Sequence, residues 1–397
     1  MIRIVFTADN HLNRYYAKMT RDQLRARRRQ IRDAFKETVD FAIKQDAHFF
    51  LHGGDLFDNP DPSPVELAFV AREFKRLQDH GVKILAISGN HDMPRYMGES
   101  ATPIRIYQEL DALRVFNKRT EIEFETFDID GARIAIGGLA PDPRADADTD
   151  PLHDVEINAP DADVKILLLH GGVEDAVPPG FEEGVFKKST IASLKQIDYF
   201  LVGDIHFTNK LNVEHATVLI PGATERLTFG EIKNEPGFYY LELDPSEAKR
   251  PVKMTRKLIE PQAMRRHEIR CGNLPMDNPT EYVYEEIRAV SHSNQLLQLR
   301  MEGILEREQY HQLKFFDIWR LGSELNFYFD LDKSQIEIRS RAQDEFGNVV
   351  PEERVDVERE LERVADELFD TAEDDDERAL IQDARLRVVN LYRNKNE

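Results

Sequence analysis

Five short polar motifs, each placed directly after an apolar run, constrain the fold of this chain more than any other feature. They are Asp9-Asn10-His11, Gly54-Asp55, Gly89-Asn90-His91-Asp92, His170-Gly171 and Gly203-Asp204-Ile205-His206. Short apolar runs are typical of buried strands. The carboxylate, amide and imidazole groups that follow them are all metal-ligand types. The pattern therefore predicts several strands that deliver ligands for two metal ions to one edge of a sheet.

The spacing of apolar residues predicts an α/β fold for the first part of the chain. Between Met1 and about Asp244, β-rich runs alternate with amphipathic stretches, which indicates α/β layering. The predicted strands cover residues 2–7, 48–52, 83–88, 134–136, 164–170, 199–202, 217–220 and 237–243, and the predicted helices cover 21–45 and 64–80. Because the later strands have fewer helices between them, we expect two sheets packed face to face and flanked by helices. Residues 141–163, rich in Asp, Ala and Pro, are expected to form a long acidic surface loop.

The composition changes after about residue 255, which predicts further domains. Residues 1–250 form the first predicted domain, and residues 255–341 form a smaller α/β domain with strands at 264–270, 296–302 and 325–331 and helices at 280–290 and 304–322. Residues 351–397, behind a polar linker, contain two segments with apolar residues at helical spacing. This predicted helical hairpin could pack on its own chain or offer its apolar faces to a partner.

The charge of the chain limits how it could bind nucleic acid. A net charge of −21 argues against coating nucleic acid by bulk electrostatic attraction. It does not exclude DNA as a substrate, because bound divalent ions would reverse the local field at the site. Basic residues cluster at the start of the first predicted helix, where Arg25, Arg28 and Arg29 are candidates for contacts with a DNA backbone. A solvated helix face explains this cluster equally well.

The sequence predicts a cytoplasmic protein without a membrane segment. No apolar stretch approaches the roughly 18 to 20 residues that span a bilayer. The N-terminus lacks the apolar region and cleavage site of a signal peptide. The single cysteine, Cys271, cannot form an internal disulfide, which agrees with a reducing compartment.

A dinuclear hydrolytic site needs one ligand shared by both ions and several terminal ligands on each. Asp55, flanked by glycine and following an apolar run, is well placed to be the shared carboxylate. Asp9 and His11 would point the same way in an extended segment and could chelate one ion. Further ligand candidates are Asn90, His170 and His206. Mixed oxygen and imidazole ligation suits Mn²⁺, Fe²⁺, Zn²⁺ or Ni²⁺ better than Ca²⁺.

His91 has a different predicted role. It directly follows Asn90, so its side chain should point away from the ions and toward the leaving group, where an imidazolium could act as general acid. Asp58 is the candidate carboxylate to fix its tautomer, and Asp92 is expected to brace the turn. Any one of these residues, taken alone, is more often a solvated or capping residue, so the prediction depends on their ordered combination.

The motif set resembles the calcineurin-like metallophosphoesterases, whose pattern reads D-x-H, G-D-x-x-D, G-N-H-[DE], a lone His and G-H-x-H. Within them the chain is similar to the SbcD family of DNA double-strand-break repair nucleases. The similarity is carried by residues 53–58, 88–92 and especially 221–231, PGATERLTFGE. It covers about residues 1–245, and beyond them the small domain and the hairpin resemble the family's capping domain and docking element for an SbcC-type ATPase in architecture only.

The resemblance implies a ligand set and a function. Asp9, His11, Asp55 and His206 would hold one ion, and the other would be held by Asp55, Asn90, His170 and the residue at position 204. The family has His at position 204, whereas this chain has Asp204. Asp204 could ligate and favour Mn²⁺ or Mg²⁺, or could leave the site weak. His91 would be the proton donor and Asp58 its orienting carboxylate.

The expected activity is that of a DNA exonuclease or endonuclease that depends on two divalent ions. We expect Mn²⁺, with Mg²⁺ or Fe²⁺ as alternatives, an SbcC-type coiled-coil ATPase as partner, and a homodimer. Apolar residues compatible with the family's dimer contact are Leu67, Val70, Phe74 and Leu77 on one helix, with Ile104, Ile106 and Leu110 nearby, although ordinary core packing explains them nearly as well. Two other functions remain open. One is a related enzyme acting on small phosphate esters, and the other is a DNA-binding subunit with a weakened metal site.

Overall fold

The computed structural model describes residues 1–93, 102–142, 145–146, 148–244 and 251–339, together with isolated positions between 364 and 388. Most of the predicted hairpin therefore lies outside the described residues. In chain order the strands and helices are β1 (Ile2–Thr7), α1 (Arg21–Lys44), β2 (Phe49–His52), α2 (Pro64–Asp79), β3 (Lys83–Ile87), α3 (Arg105–Glu109), β4 (Arg114–Phe116), β5 (Glu123–Ile129), β6 (Ala132–Gly138), β7 (Val164–His170), β8 (Gly172–Val173), β9 (Val185–Phe186), α4 (Lys188–Ser193), β10 (Tyr199–Gly203), β11 (Asn209–Val213), β12 (Ala216–Ile220), β13 (Gly237–Leu243), β14 (Pro251–Leu258), β15 (Met264–Arg270), α5 (Pro279–Val290), β16 (Leu296–Glu306), α6 (Arg307–Gln312), α7 (Phe315–Leu325) and β17 (Tyr328–Arg339).

Two six-stranded mixed sheets form the frame of the fold. The first has the strand order β14-β13-β1-β2-β3-β4, and the second has the order β11-β12-β10-β7-β6-β5. Strands β1, β2 and β3 are mutually parallel, as are β7 and β10. Their carboxyl ends are where the five polar motifs begin. The predicted α/β fold with two sheets is confirmed.

Apolar side chains alternate along the central strands and fill both faces of each sheet. Ile4 and Phe6 point into a core that also contains Ile166 and Leu201 of the second sheet. Val5 points the other way, into a core shared with helices α1 and α2. A third core covers the outer face of the second sheet. Burial on both faces explains why these strands appear in the sequence as continuous apolar runs.

The start of helix α1 follows from its capping residues. The hydroxyl of Thr20 accepts a hydrogen bond from the backbone N–H of Gln23, and the side chain of Gln23 accepts one from the backbone N–H of Thr20. This reciprocal pair satisfies two N–H groups that a helix terminus leaves without partners. The helix then buries Ile31, Phe35 and Val39 against the first sheet.

The second part of the chain contains a three-stranded sheet in the order β15-β16-β17. The prediction of one helix over residues 304–322 was wrong. Strand β16 continues to Glu306, and two helices, α6 and α7, follow it. The side chain of Glu306 accepts from a backbone N–H of α6 and so caps it, which ends the strand there.

The chain divides into two compact units. One comprises residues 1–269, 283–300 and 315–333, and the other comprises residues 270–282, 301–314 and 334–397. The predicted boundary between residues 250 and 255 falls within β14, which pairs with β13 in the first sheet. The three-domain division stays a prediction. Within the described part of the chain, no helix is long and apolar enough to cross a membrane.

A close backbone approach joins the two sheets where the polar motifs begin. A Cβ atom added at Gly203, the last residue of β10, would overlap the carbonyl oxygen of Gly53, just after β2. A glycine is required at this position because any side chain would force the two strand ends apart.

We expect Gly203→Ala to lower the free energy of unfolding by about 1–3 kcal/mol, the usual cost of overpacking a core. Urea denaturation of the purified protein measures this change. Gly272→Ala is the matched control, because its added Cβ would have no neighbour within 4 Å. The control should stay within about 0.5 kcal/mol of the parent protein. Equal stability of the two variants would contradict the close-approach argument.

Candidate metal centre

The structure brings all five motifs together at the junction of the two sheets. Asp9 and His11 follow β1, Asp55 follows β2, and Asn90 follows β3. From the second sheet, His170 ends β7, and Asp204 and His206 follow β10. Three groups of side chains place their ligand atoms within 4.8 Å of one another: Asp9, His11 and His206; Asp9, Asp55 and His170; and His11, Asp58 and His91. Asp204 lies outside these three groups.

Several of these residues have an unusual backbone conformation. Asp9, His11, Asp55 and Asp204 have positive φ angles of 52°, 46°, 54° and 90°. Residues other than glycine rarely adopt this region of backbone conformation, and such strain is typical of functional sites. Our premise that Asp9 and His11 lie in an extended segment was therefore wrong. Their side chains converge because two left-handed residues flank Asn10.

His11 and His206 face each other through their Nε2 atoms, which are 3.0 Å apart. Nδ1 of His206 lies 3.1 Å from Oε1 of Glu231, and Nδ1 of His11 lies 3.2 Å from Oδ1 of Asp58. If both rings are neutral and carry their hydrogen on Nδ1, the nitrogen nearer the carboxylate, their two Nε2 lone pairs face each other. Two nitrogen ligands at about 2.1 Å from one ion have about this separation when they bind at a right angle. The pair therefore fits adjacent positions on one ion.

Burial and charge affect these two imidazoles differently. Burial lowers the pKa of His11 to about 3, so this ring is neutral at physiological pH. Burial would also lower the pKa of His206, but Glu231 and Asp9 outweigh it and raise that pKa above its usual value. When His206 is protonated and no cation is bound, its Nε2–H would donate to the Nε2 lone pair of His11.

His170 marks the second position for an ion. Its Nδ1 donates to the carbonyl oxygen of Gly53 at 2.8 Å, and its Nε2 therefore carries a lone pair. That Nε2 faces three oxygens: Oδ1 of Asn90 at 3.2 Å and Oδ1 of both Asp55 and Asp204 at 3.6 Å. Burial lowers the pKa of His170 to about 3, so the ring does not gain a second hydrogen. Four candidate ligand atoms thus converge on one position.

The carboxylates at the centre repel one another in the absence of cations. Burial raises the pKa of Asp55 well above its usual value, and the charges of Asp92, Asp9 and Asp204 raise it further. Burial also raises the pKa of Asp204, with further contributions from Glu183 and Asp9. One oxygen each of Asp9 and Asp204 is buried without a hydrogen-bond partner. Buried charges without partners are costly, so the donor set fits two divalent cations.

Asp55 lies between the two positions. Its Oδ2 is 3.5 Å from Nε2 of His11, and its Oδ1 is 3.6 Å from Nε2 of His170. The backbone N–H of His91 donates to Oδ1 at 2.9 Å, which fixes the carboxylate. This arrangement is the one expected of a carboxylate shared by two ions.

His91 is exposed at the rim of the centre, with its ring edge against His11 at a centroid distance of 4.8 Å. Its Nδ1 lies 3.1 Å from the backbone carbonyl oxygen of Asp58. The sequence had suggested that the carboxylate of Asp58 orients His91. The structure shows that the main-chain carbonyl of Asp58 makes this contact. The carboxylate instead accepts a hydrogen bond from Arg14 at 2.6 Å.

Asp92 braces the turn, as predicted. Its carboxylate accepts hydrogen bonds from the backbone N–H groups of Leu56, Phe57 and Gly89. Burial nevertheless raises its pKa to about 6. This side chain connects the loops that follow β2 and β3, and so fixes Asp55 relative to Asn90.

Sequence reasoning missed several residues that support the ligands. Glu231, quoted only as part of a similar segment, contacts His206. Glu183, in the segment between β8 and β9, accepts a hydrogen bond from the amide of Asn90. Arg14 holds Asp58. Charged residues in loops are so common that no signal in one sequence distinguished these three from solvated ones.

The predicted DNA-binding arginines have different environments. Arg25 and Arg29 are exposed on helix α1. Arg28 donates to the backbone carbonyl oxygens of Asn13 and Arg14, so it holds the loop after the first motif. Arg27 is fully buried and forms an ion pair with Glu225. The role of Arg25, Arg28 and Arg29 in DNA binding stays a prediction.

Comparisons with known proteins agree with this geometry. Residues 2–208, more than half of the 397-residue chain, match the family model described as calcineurin-like phosphoesterase. The DNA double-strand break repair protein Mre11 of Saccharolobus solfataricus is 28% identical over 240 residues, which cover 60% of this chain and 58% of that protein. The protein of the same name from Haloferax volcanii is 26% identical over 309 residues, which cover 76% of this chain and 62% of that protein.

A bacterial relative has a less specific name. The uncharacterized metallophosphoesterase YhaO of Bacillus subtilis is 28% identical over 214 residues, which cover 52% of this chain and 48% of that protein. The chain thus spans less than two thirds of the length of each of these three relatives.

We expect Arg14→Gln to lower turnover about tenfold, the smaller effect typical of losing a residue that orients a catalytic group or ligand. Burial would raise the pKa of Asp58, but its contacts with His11 and Arg14 outweigh burial and keep that pKa below its usual value. Without Arg14 the loop that carries the Asp58 carbonyl loses its anchor. Steady-state kinetics measure the change, and Arg133→Gln is the control because Arg133 is exposed on strand β6 and lies outside the candidate DNA-binding cluster. Equal turnover in both variants would contradict this role.

Proposed function

The chain belongs to the calcineurin-like phosphoesterase family, and on that premise we propose that it is a metal-dependent DNA phosphodiesterase. The family predicted from the motifs is confirmed by the match over residues 2–208. A metal-dependent phosphoester hydrolase follows from the family and the fold. The observation that carries the proposal is the convergence of three imidazoles and several carboxylates at the junction of two sheets, with exposed His91 beside them.

Two ions, when bound, would activate a water molecule and stabilise the charge that develops on the phosphate. Asp9, His11, Asp55 and His206 would hold one of them. Asp55, Asn90, His170 and Asp204 would hold the other. We propose Mn²⁺, with Mg²⁺ or Fe²⁺ as alternatives, because oxygen donors predominate over the two sites together.

His91 would supply the proton that the leaving group needs. Its Nδ1–H donates to the carbonyl oxygen of Asp58, which fixes the ring. In the imidazolium form, Nε2–H is then available to the departing 3′ oxygen of a nucleotide. An alkoxide is a poor leaving group unless it is protonated, so this step is where a general acid matters most.

DNA is the proposed substrate because the relatives in archaea carry the name DNA double-strand break repair protein. Exposed Arg25 and Arg29 on helix α1 could contact the DNA backbone.

We also propose an SbcC-type coiled-coil ATPase as partner and a homodimer as the assembly. Of the predicted dimer residues, Val70, Phe74 and Leu77 are buried within the chain's own core. On α3 and at its end, however, Ile106 and Leu110 are exposed. These two residues are the better candidates for contact with a second copy.

The general-acid role of His91 can be separated from metal binding by the choice of substrate. With Mn²⁺ present, His91→Ala should lower cleavage of linear double-stranded DNA by about 10²–10⁴-fold, the usual contribution of a general acid. Cleavage of bis(4-nitrophenyl) phosphate should fall much less, because nitrophenolate leaves without protonation. Rates on both substrates and the metal content of each protein are the measurements.

His153→Ala is the control, because His153 is exposed and lies outside the centre. Equal losses on the two substrates would contradict the role of His91. Activity of the parent protein confined to nitrophenyl esters would contradict DNA as substrate. Fewer than two bound ions, with gain of nuclease activity only in Asp204→His, would support a binding subunit with a weakened site.

The partner proposal makes a prediction for the end of the chain. Deleting residues 351–397 should abolish co-purification with a large coiled-coil ATPase, because their predicted apolar faces would form the docking element. DNA cleavage by the isolated chain should persist, because every candidate ligand precedes residue 207. Pull-down from the native cell tests the association. Its persistence after deletion would place the contact elsewhere.

A further inference from the structure

Glu183 is a charged side chain that no motif includes, yet it contacts the candidate metal centre. Its Oε1 accepts a hydrogen bond from the amide Nδ2 of Asn90. Because Nδ2 is directed to Glu183, Oδ1 of the same amide is directed to Nε2 of His170, at 3.2 Å. The carboxylate therefore determines which atom of Asn90 faces the second ion position.

The backbone around Glu183 is held in place. Glu183 forms an isolated antiparallel bridge with Asp146. The carbonyl oxygen of the next residue, Gly184, accepts a hydrogen bond from the backbone N–H of Gly172 at 3.0 Å. Val185 N–H then donates to the carbonyl oxygen of Thr149 at 2.9 Å. The side chain is thus presented to the centre by a structured segment.

The same position also receives the carboxylate of Asp204. Nε2 of His170, which faces the Asn90 amide that Glu183 orients, lies 3.6 Å from Oδ1 of Asp204. Oδ2 of Asp204 is buried and has no hydrogen-bond partner. A second carboxylate beside an unpartnered one would be unfavourable unless a cation neutralises both.

We propose that Glu183 is a further residue of the second ion position, which orients Asn90 and, with Asp204, supplies negative charge there. The candidate metal ligands around Nε2 of His170 are then the amide oxygen of Asn90 and the carboxylates of Asp55 and Asp204. Glu183 contacts the amide nitrogen of Asn90. Such an oxygen-rich set suits a hard divalent cation such as Mn²⁺ or Mg²⁺. The inference rests on the dinuclear site of the proposed function.

Titration of the metal-free full chain with Mn²⁺, followed by calorimetry and by electron paramagnetic resonance, tests the proposal without any DNA. Glu183→Gln keeps an acceptor for the Asn90 amide but removes the charge. We expect it to weaken binding of one of two Mn²⁺ ions about tenfold and to leave the other unchanged. Glu183→Ala, which also releases the amide, should weaken that ion at least as much.

Glu182→Gln is the matched control, because Glu182 is the adjacent residue and is exposed. Its two Mn²⁺ affinities should equal those of the parent protein. Parent-like affinities in Glu183→Gln would overturn the proposal, as would fewer than two Mn²⁺ ions in the parent protein. Two ions in the parent protein without DNA cleavage would instead overturn the proposed function and leave this inference standing.

Discussion

Buried lone pairs that face one another are the constraint on which the rest of this structure depends. At one position the Nε2 atoms of His11 and His206 are 3.0 Å apart, and at the other Nε2 of His170 faces three oxygens. Such groups are held together only if cations neutralise them or if the surrounding fold outweighs their repulsion. Here the fold holds these groups close together, because two sheets buried on both faces fix the strand ends that the candidate ligands follow.

Several candidate ligands are oriented by partners outside the centre. Glu231 orients His206, and the carbonyl oxygen of Gly53 orients His170. Asn10, between the two ligands of the first motif, donates to the hydroxyl of Thr224, whose neighbour Glu225 forms the buried pair with Arg27. The segment after β12 therefore supports the first motif. The segment 221–231 thus supports both the first motif, through Thr224, and His206, through Glu231, although none of its residues is a candidate ligand.

The sequence predicted the fold and most of the centre because its strongest signals are local. Apolar runs gave the limits of β1, β7 and β13 correctly. Edge strands such as β5 and β11 were missed, since they are half exposed and contain too few apolar residues to form a run. Glu183 and Arg14 were missed for a different reason. Their roles depend on chain segments that meet only in three dimensions, and residue type and spacing carry no record of such contacts.

An aspartate at position 204 is compatible with the geometry of the centre because the main chain of this residue, and not its side chain, contacts Asp9. The backbone N–H of Asp204 donates to Oδ1 of Asp9 at 2.9 Å, and this bond requires the positive φ of 90° but not any particular side chain. Asn and Asp tolerate this conformation better than most residues. This main-chain bond orients Asp9 independently of the side chain at position 204. On the proposed dinuclear site, Asp204 would offer the second ion a charged oxygen next to Nε2 of His170. An oxygen-rich second position would favour a hard cation such as Mn²⁺ or Mg²⁺.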